Sequence, residues 1–238
     1  MGWRHRRKKF LTVVAAAVWL LTAGRLCAEE PEVTRARELM QRNPAVAKVY
    51  YDAGNVFYKH GLREEALQTW QRAGGLKLTY AEPHTAIGLA YFDRGENEKA
   101  LDKFKQAVLI DSYNADARYY LGMVLEDDGR LEDAIPEWEK AVRIDPYHTE
   151  ARLSLADAYV NTGQVDDALK EYQTVIRQKP ASPEAYYHYG QALYVKKRYD
   201  EALKALENFV RYSSFENQDV DDVNAAKHLI KKLEERIS

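Results

Sequence analysis

"AIPEWEKAVRIDPYHTEA", Ala134–Ala151, sets Glu137, Glu139, Asp145, His148 and Glu150 within eighteen residues. Acids beside a histidine are what general acid/base catalysis or a metal site requires. The stretch has counterparts, however, and they decide the fold. "ALDKFKQAVLIDSYNADA" begins 34 residues earlier at Ala100, and "ALQTWQRAGGLKLTYAEP" a further 34 earlier at Ala66. At the same spacing downstream stand "ALKEYQTVIRQKPASPEA" from Ala168 and "ALKALENFVRYSSFENQD" from Ala202. Repetition at a period of this length marks a solenoid, whose units bury their apolar faces only by stacking.

With units started at Ala47, Ala81, Ala115, Thr149 and Pro183, the eighth position reads Gly54, Gly88, Gly122, Ala156 and Gly190. The eleventh reads Phe57, Tyr91, Leu125, Tyr159 and Leu193. The twentieth is alanine throughout: Ala66, Ala100, Ala134, Ala168 and Ala202. The twenty-fourth is large: Trp70, Phe104, Trp138, Tyr172 and Leu206; the twenty-seventh is Ala73, Ala107, Ala141, Val175 and Phe209. Pro146 and Pro180 follow the second segment of their units, where Leu78, Ser112 and Ser214 stand in the others. In these positions the chain resembles the tetratricopeptide repeat family, with five repeats at 47–80, 81–114, 115–148, 149–182 and 183–216, about seven-tenths of its length. The resemblance implies an all-α fold, a right-handed α-solenoid of antiparallel helix pairs.

The pattern also has a physical reading. Small residues at positions eight and twenty let paired helices approach, and the large residue at twenty-four fills the space beside them. Gly61, Gly95, Gly129 and Gly163 fall between the helices, where the chain must leave one helix and turn. Lys197 takes that place in the fifth repeat, so its turn should be strained or differently shaped. Pro136 is expected in the first turn of a helix, where a missing N–H is tolerated. Gly74-Gly75 should weaken its helix by roughly 1 kcal/mol per glycine. Residues 31–42, inside a leading segment 29–46, read as a helix stopped by Asn43-Pro44. Residues 217–238 read as a capping helix with Val220, Val223, Ala226, Ile230, Leu233 and Ile237 on one face. Asp219, Asp221 and Asp222 suit that helix's start. On this frame Asp145-Pro146 ends one helix, Glu150 opens the next, and His148 is a lone loop histidine. The opening stretch is a junction between repeats rather than an active site.

Composition narrows function. Arg4, Arg6, Arg7, Lys8, Lys9 and Arg25 lie in the first 28 residues, which hold no acid; setting them aside leaves 29 basic against 37 acidic groups, a net of −8. Such a body repels a phosphate backbone, so nucleic-acid binding is not expected. "MGWRHRRKKFLTVVAAAVWLLTAGRLCAEEPE" has the basic, apolar and small-residue plan of an export signal over residues 1–28. Cleavage after Ala28 or Gly24 is one outcome; an uncleaved membrane tether through residues 10–24 is the other. Cys27 is the single cysteine, which leaves no disulfide framework, thiolate metal site or redox pair. The expected location is periplasmic, or membrane-anchored and facing the periplasm.

No phosphate loop, metalloprotease helix or nucleophile elbow is present in the sequence, and no cofactor is implied. The family resemblance instead implies a concave groove that takes peptides or helices of partner proteins through positions two, five, nine, twelve and thirteen of each repeat. Carried onto this chain, the groove residues are Tyr51, Asn55, Tyr58, Leu89, Phe92, Asp93, Tyr119, Met123, Asp127, Asp157, Tyr187, Gln191 and Tyr194; the other positions hold Lys48, Glu82, Asp116, Glu150 and Glu184 at two, Thr85 and Leu153 at five, Glu126 and Val160 at twelve, and Lys59, Asn161 and Val195 at thirteen. Tyrosine, present seventeen times, offers broad contact with a polar tip at low entropic cost. Of the Lys/Arg/Asn clamp with which chaperone-binding members grip a C-terminal carboxylate, only Asn55 has a counterpart. The expected ligand is an apolar or basic-amphipathic protein segment. The expected role is an exported adaptor for an envelope, secretion or pilus assembly. The alternatives are a self-associating tethered scaffold and a recruiting subunit of a separate envelope enzyme.

Overall fold

A computed structural model describes residues 30–213 and 220–237. The expected export signal at 1–28, the apolar run at 10–24 and Asp219 lie outside the described residues. Among the described residues every regular element is an α-helix, and none is long and apolar enough to cross a membrane.

The chain divides into two compact units, at Lys77 and Leu78. The first contains α1 (Pro31–Arg42), α2 (Ala47–Lys59) and α3 (Arg63–Leu76). The second contains four helical hairpins and a last helix. These are α4 (Glu82–Phe92) with α5 (Asn97–Ile110), α6 (Ala115–Asp127) with α7 (Leu131–Ile144), α8 (Thr149–Asn161) with α9 (Val165–Gln178), α10 (Pro183–Val195) with α11 (Tyr199–Ser213), and α12 (Val220–Ile237). Within this unit each first helix packs on its own second helix, and each second helix packs on the next first helix.

The turn between paired helices is the same in all five repeats. The N–H of Leu62, Glu96, Arg130, Gln164 and Arg198 donates back to the carbonyl of Phe57, Tyr91, Leu125, Tyr159 and Leu193 respectively, which closes a Schellman cap. The residue before each donor sits at positive φ: Gly61, Gly95, Gly129, Gly163 and, in the fifth repeat, Lys197 at +60°. The lysine therefore adopts the glycine geometry, strained rather than reshaped. Between repeats, side chains take over the capping. Asn114 Oδ1, His148 Nδ1 and Ser182 Oγ accept from the backbone N–H of Ala117, Ala151 and Ala185 at the starts of α6, α8 and α10. His148 is thus a buried cap, and its Nε2 lies 3.3 Å from Asp116 Oδ1, which holds the Asp116 carboxyl below the usual range.

The core follows the repeat. Ala66, Ala100, Ala134, Ala168 and Ala202 are each fully buried beneath Trp70, Phe104, Trp138, Tyr172 and Leu206. Gly54, Gly88, Gly122 and Gly190 press directly on Trp70, Phe104, Trp138 and Leu206, sixteen residues ahead. Indole N–H groups buried this way need acceptors. Trp70 Nε1 donates to the Tyr51 carbonyl (3.2 Å) and Asn55 Oδ1 (3.0 Å), and Trp138 Nε1 to the Tyr119 carbonyl (3.1 Å).

Repeats three and four carry a further tie. Arg118 bonds Glu137 at 2.7 Å and also the Ser112 carbonyl in the preceding junction. Arg152, nearly buried, pairs with Glu171 and donates to the Pro146 carbonyl at 2.9 Å. One expectation changes. Pro136 is the sixth residue of α7, beyond the first turn, and removes a main-chain hydrogen bond inside the helix. The Gly74-Gly75 pair does not interrupt α3, which runs through to Leu76 because Trp70 and Ala73 anchor that face in the core.

Candidate partner-binding groove

First helices α6, α8 and α10 bring their exposed edges to one side of the second unit, with α12 at the end. There they enclose a groove of about 660 Å³. Glu126 of α6 and Asp157 of α8 supply its acids; Tyr172, Tyr194, Val160 and Leu229 supply apolar surface; Asn161, His188 and Gln191 supply polar groups.

Asp157 is the hub. Its Oδ1 accepts from the Tyr172 hydroxyl, and His188 Nδ1 lies 3.3 Å away. The Tyr172 and His188 rings stack at 6.2 Å. Burial first, and then the neighbouring Asp157 charge, push the Tyr172 hydroxyl well above its ordinary pKa, so it stays a donor. Glu126 is likewise pushed above the usual carboxylate range, chiefly by burial and then by Asp157 and Asp127. The Glu126 charge, disfavoured in this way beside aromatic faces, makes a setting that a bound cation would relieve.

The expected groove residues do not all meet in one place. Asp157, Gln191 and Tyr194 line this groove together, with the neighbouring positions Glu126, Val160, Asn161 and Val195. Leu89, Phe92, Tyr119 and Met123 are half-buried and pack against the core around Trp138; the Tyr119 ring stands 4.9 Å from His148. Tyr187 leans on Phe209 at 4.8 Å between α10 and α11. Asp93 is exposed, and Asp127 accepts from Asn97 Nδ2 at 2.6 Å on the edge between two hairpins. In the first unit, Asn55 serves Trp70, and Tyr58 is held by the Trp70 ring at 5.4 Å and the Arg63 guanidinium at 5.3 Å. The Asn55 amide oxygen is therefore already engaged within its own hairpin.

Sequence reasoning did not assign Tyr172, His188 and Leu229 to the groove. His188 had a usable signal, since it lies one helical turn before Gln191 on α10. Among the described residues no group of three or more His, Cys, Asp or Glu side chains is placed to hold a metal ion.

Comparison with known proteins agrees with this architecture. The sequence profile of the tetratricopeptide repeat matches residues 85–149 and 153–212. No curated protein matches the chain. Among solved structures, YrrB, described as a tetratricopeptide repeat protein with an unusual peptide-binding site, is 25% identical with a TM-score of 0.64, over 81% of this chain and 97% of that one. MamA from Desulfovibrio magneticus RS-1 is 23% identical with a TM-score of 0.59, over 72% and 95%. PilF of Pseudomonas aeruginosa is 19% identical with a TM-score of 0.64, over 81% and 93%. The latter two likenesses concern the fold alone.

Proposed function

The chain belongs to the tetratricopeptide repeat family, and on that premise we propose that it is a non-catalytic adaptor holding a segment of a protein partner in the groove of α6, α8 and α10. The observation that carries this reading is the meeting of Asp157, Gln191 and Tyr194 in one concave site with Glu126. The description of YrrB as peptide-binding supports a peptide ligand. The mixture of tyrosine and leucine surface with two neighbouring acids suits an apolar segment carrying lysine or arginine. We place the protein in an envelope, secretion or pilus assembly, reached through export directed by residues 1–28 and their removal after Ala28. That setting is supported by the charge and hydropathy plan of those residues.

The test is in-cell photo-crosslinking from position 191, with the exposed outward residue Gln173 as control. A discrete protein adducted from position 191 but not from position 173 is the expected result. Adducts from position 173 alone, or adducts only to further copies of this chain, would favour a self-associating scaffold and overturn the adaptor reading.

A further inference from the structure

Helix α1 stops in the register of every second helix. The ends fall at Arg42, Leu76, Ile110, Ile144 and Gln178, each 34 residues after the last. Pro44, two residues beyond α1, stands 102 residues, or three periods, before Pro146. Its contacts repeat the pattern as well. Lys59 at the end of α2 reaches back to Glu32 on α1 at 2.9 Å, as Lys196 at the C-cap of α10 reaches back to Asp166 on α9 at 2.8 Å. Helix α1 thus stands in the place of a second helix in the repeat register.

In the second unit a first helix touches its own second helix and the next first helix. For α1 that position is a cleft of about 200 Å³ between α1 and α2. Ala36, Leu39, Val49, Ala53 and Val56 form its floor and walls. Leu39 is 42% exposed, while Val33 and Ala36 on the same helix are buried. The size code of the repeats specifies what fits. Where the complete repeats pair a glycine or alanine with a large residue at the twenty-fourth position, α1 has Ala36 in the large residue's place. A helix seated here must bring the bulk itself.

We propose that this cleft docks an apolar helix of a partner protein, about three turns long, with a large apolar side chain against Ala36, so that the partner completes the hairpin. The proposal rests on the export reading, under which cleavage after Ala28 leaves only Glu29 and Glu30 ahead of α1, too few residues to span the cleft. A second copy is a poor occupant. The helix at its open end, α12, turns Lys227, Lys231, Glu234 and Glu235 outward, and a charged face does not enter an apolar cleft. The rim of the cleft carries Glu32, Asp52 and Arg35; Glu32 and Asp52 already pair with Lys59 and Lys48, so apolar fit rather than charge selects the incoming helix.

The experiment places the photo-crosslinking residue benzoylphenylalanine at position 39 of the full chain in its producing cells, and reads the adduct and the protein's N-terminus by mass spectrometry. The expected result is an N-terminus at Glu29 and an adduct mapped to an apolar helix of a different protein. Val49→Glu should lower that adduct at least ten-fold while an adduct from position 191 persists. Val49 is partly exposed, so the variant folds, which a thermal melt verifies. An intact N-terminus with the same mapped adduct would sink the cleavage reading and leave the cleft's function standing. An adduct to residues 13–25 of the same chain, to a second copy, or none at all from a protein beginning at Glu29 would overturn the proposal.

Discussion

Gly122 and Trp138 are packed so closely that a Cβ on the glycine would lie 2.4 Å from the indole Nε1. The ring is fully buried and its N–H is committed to the Tyr119 carbonyl, so it has nowhere to retreat. Gly122→Ala gains about 1 kcal/mol of helix propensity and loses about 1–3 kcal/mol to overpacking. We expect a net loss of up to about 2 kcal/mol in urea unfolding. Gly75 is the counter-case, since a Cβ there meets nothing within 4 Å. Gly75→Ala should stabilise the first unit by about 1 kcal/mol. A loss at both positions would show that helix propensity, not the indole contact, is being misjudged.

Lys197 holds the left-handed geometry that glycine holds in the other four turns. For an L-residue this costs about 1–2 kcal/mol, partly offset because glycine also loosens the unfolded chain. Lys197→Gly should therefore raise stability by about 0.5–1 kcal/mol. Slower amide exchange at Arg198, whose N–H closes the turn on Leu193, would accompany it.

Arg152 is 8% exposed and joins Glu171 to the Pro146 carbonyl. Arg152→Leu leaves Glu171 without its charge partner, and we expect a loss of about 2–3 kcal/mol. The double variant Arg152→Leu, Glu171→Leu should recover most of that loss, because desolvating an ion pair offsets much of its attraction. On the surface, Lys170→Ala breaks the pair with Asp167 and should leave stability nearly unchanged, because solvent screens an exposed pair. Urea unfolding of the three variants against the parent chain measures all three.

Glu126 binds its proton more tightly in the folded chain than its ordinary value of 4.5. Its contribution to stability is therefore full below that value and falls as pH rises through the folded pKa. A cationic ligand beside it favours the ionised form. Affinity for a lysine-bearing peptide should accordingly climb as pH rises from 4.5 through that window, with Asp157, Asp127 and His188 as the neighbouring groups. Glu126→Gln should flatten the Glu126 part of the climb; an unchanged profile would remove Glu126 from the binding surface.

Most of the fold was legible because one period governs helices, turns and core together. Ala134 and its four counterparts, the turn glycines and Trp138 all repeat in register, and agreement among them fixes hairpins without any long-range inference. The groove was legible only where position alone decides exposure, as for Asp157, Gln191 and Tyr194. Tyr172 escaped because its position reads as a core spacer, and its ring is indeed buried; only the hydroxyl reaches through to Asp157. Asn55 was placed in the groove on position alone, although its side-chain oxygen serves the indole of Trp70. Phe104, which has no N–H to satisfy, makes no such demand on its own hairpin. Leu229 belongs to α12, outside the repeat, where the period carries no information about contacts.

The Arg118 and Arg152 ties anchor the junctions on either side of the third repeat, and each grips a neighbouring loop as well as its own hairpin. Under tension applied along the second unit, load at these two junctions is shared between backbone and guanidinium, whereas the α10–α11 hairpin has Tyr186 where they have arginine. A single molecule drawn out in a force spectrometer should therefore yield from the α12 end inward, with the third repeat the last to part from its neighbours.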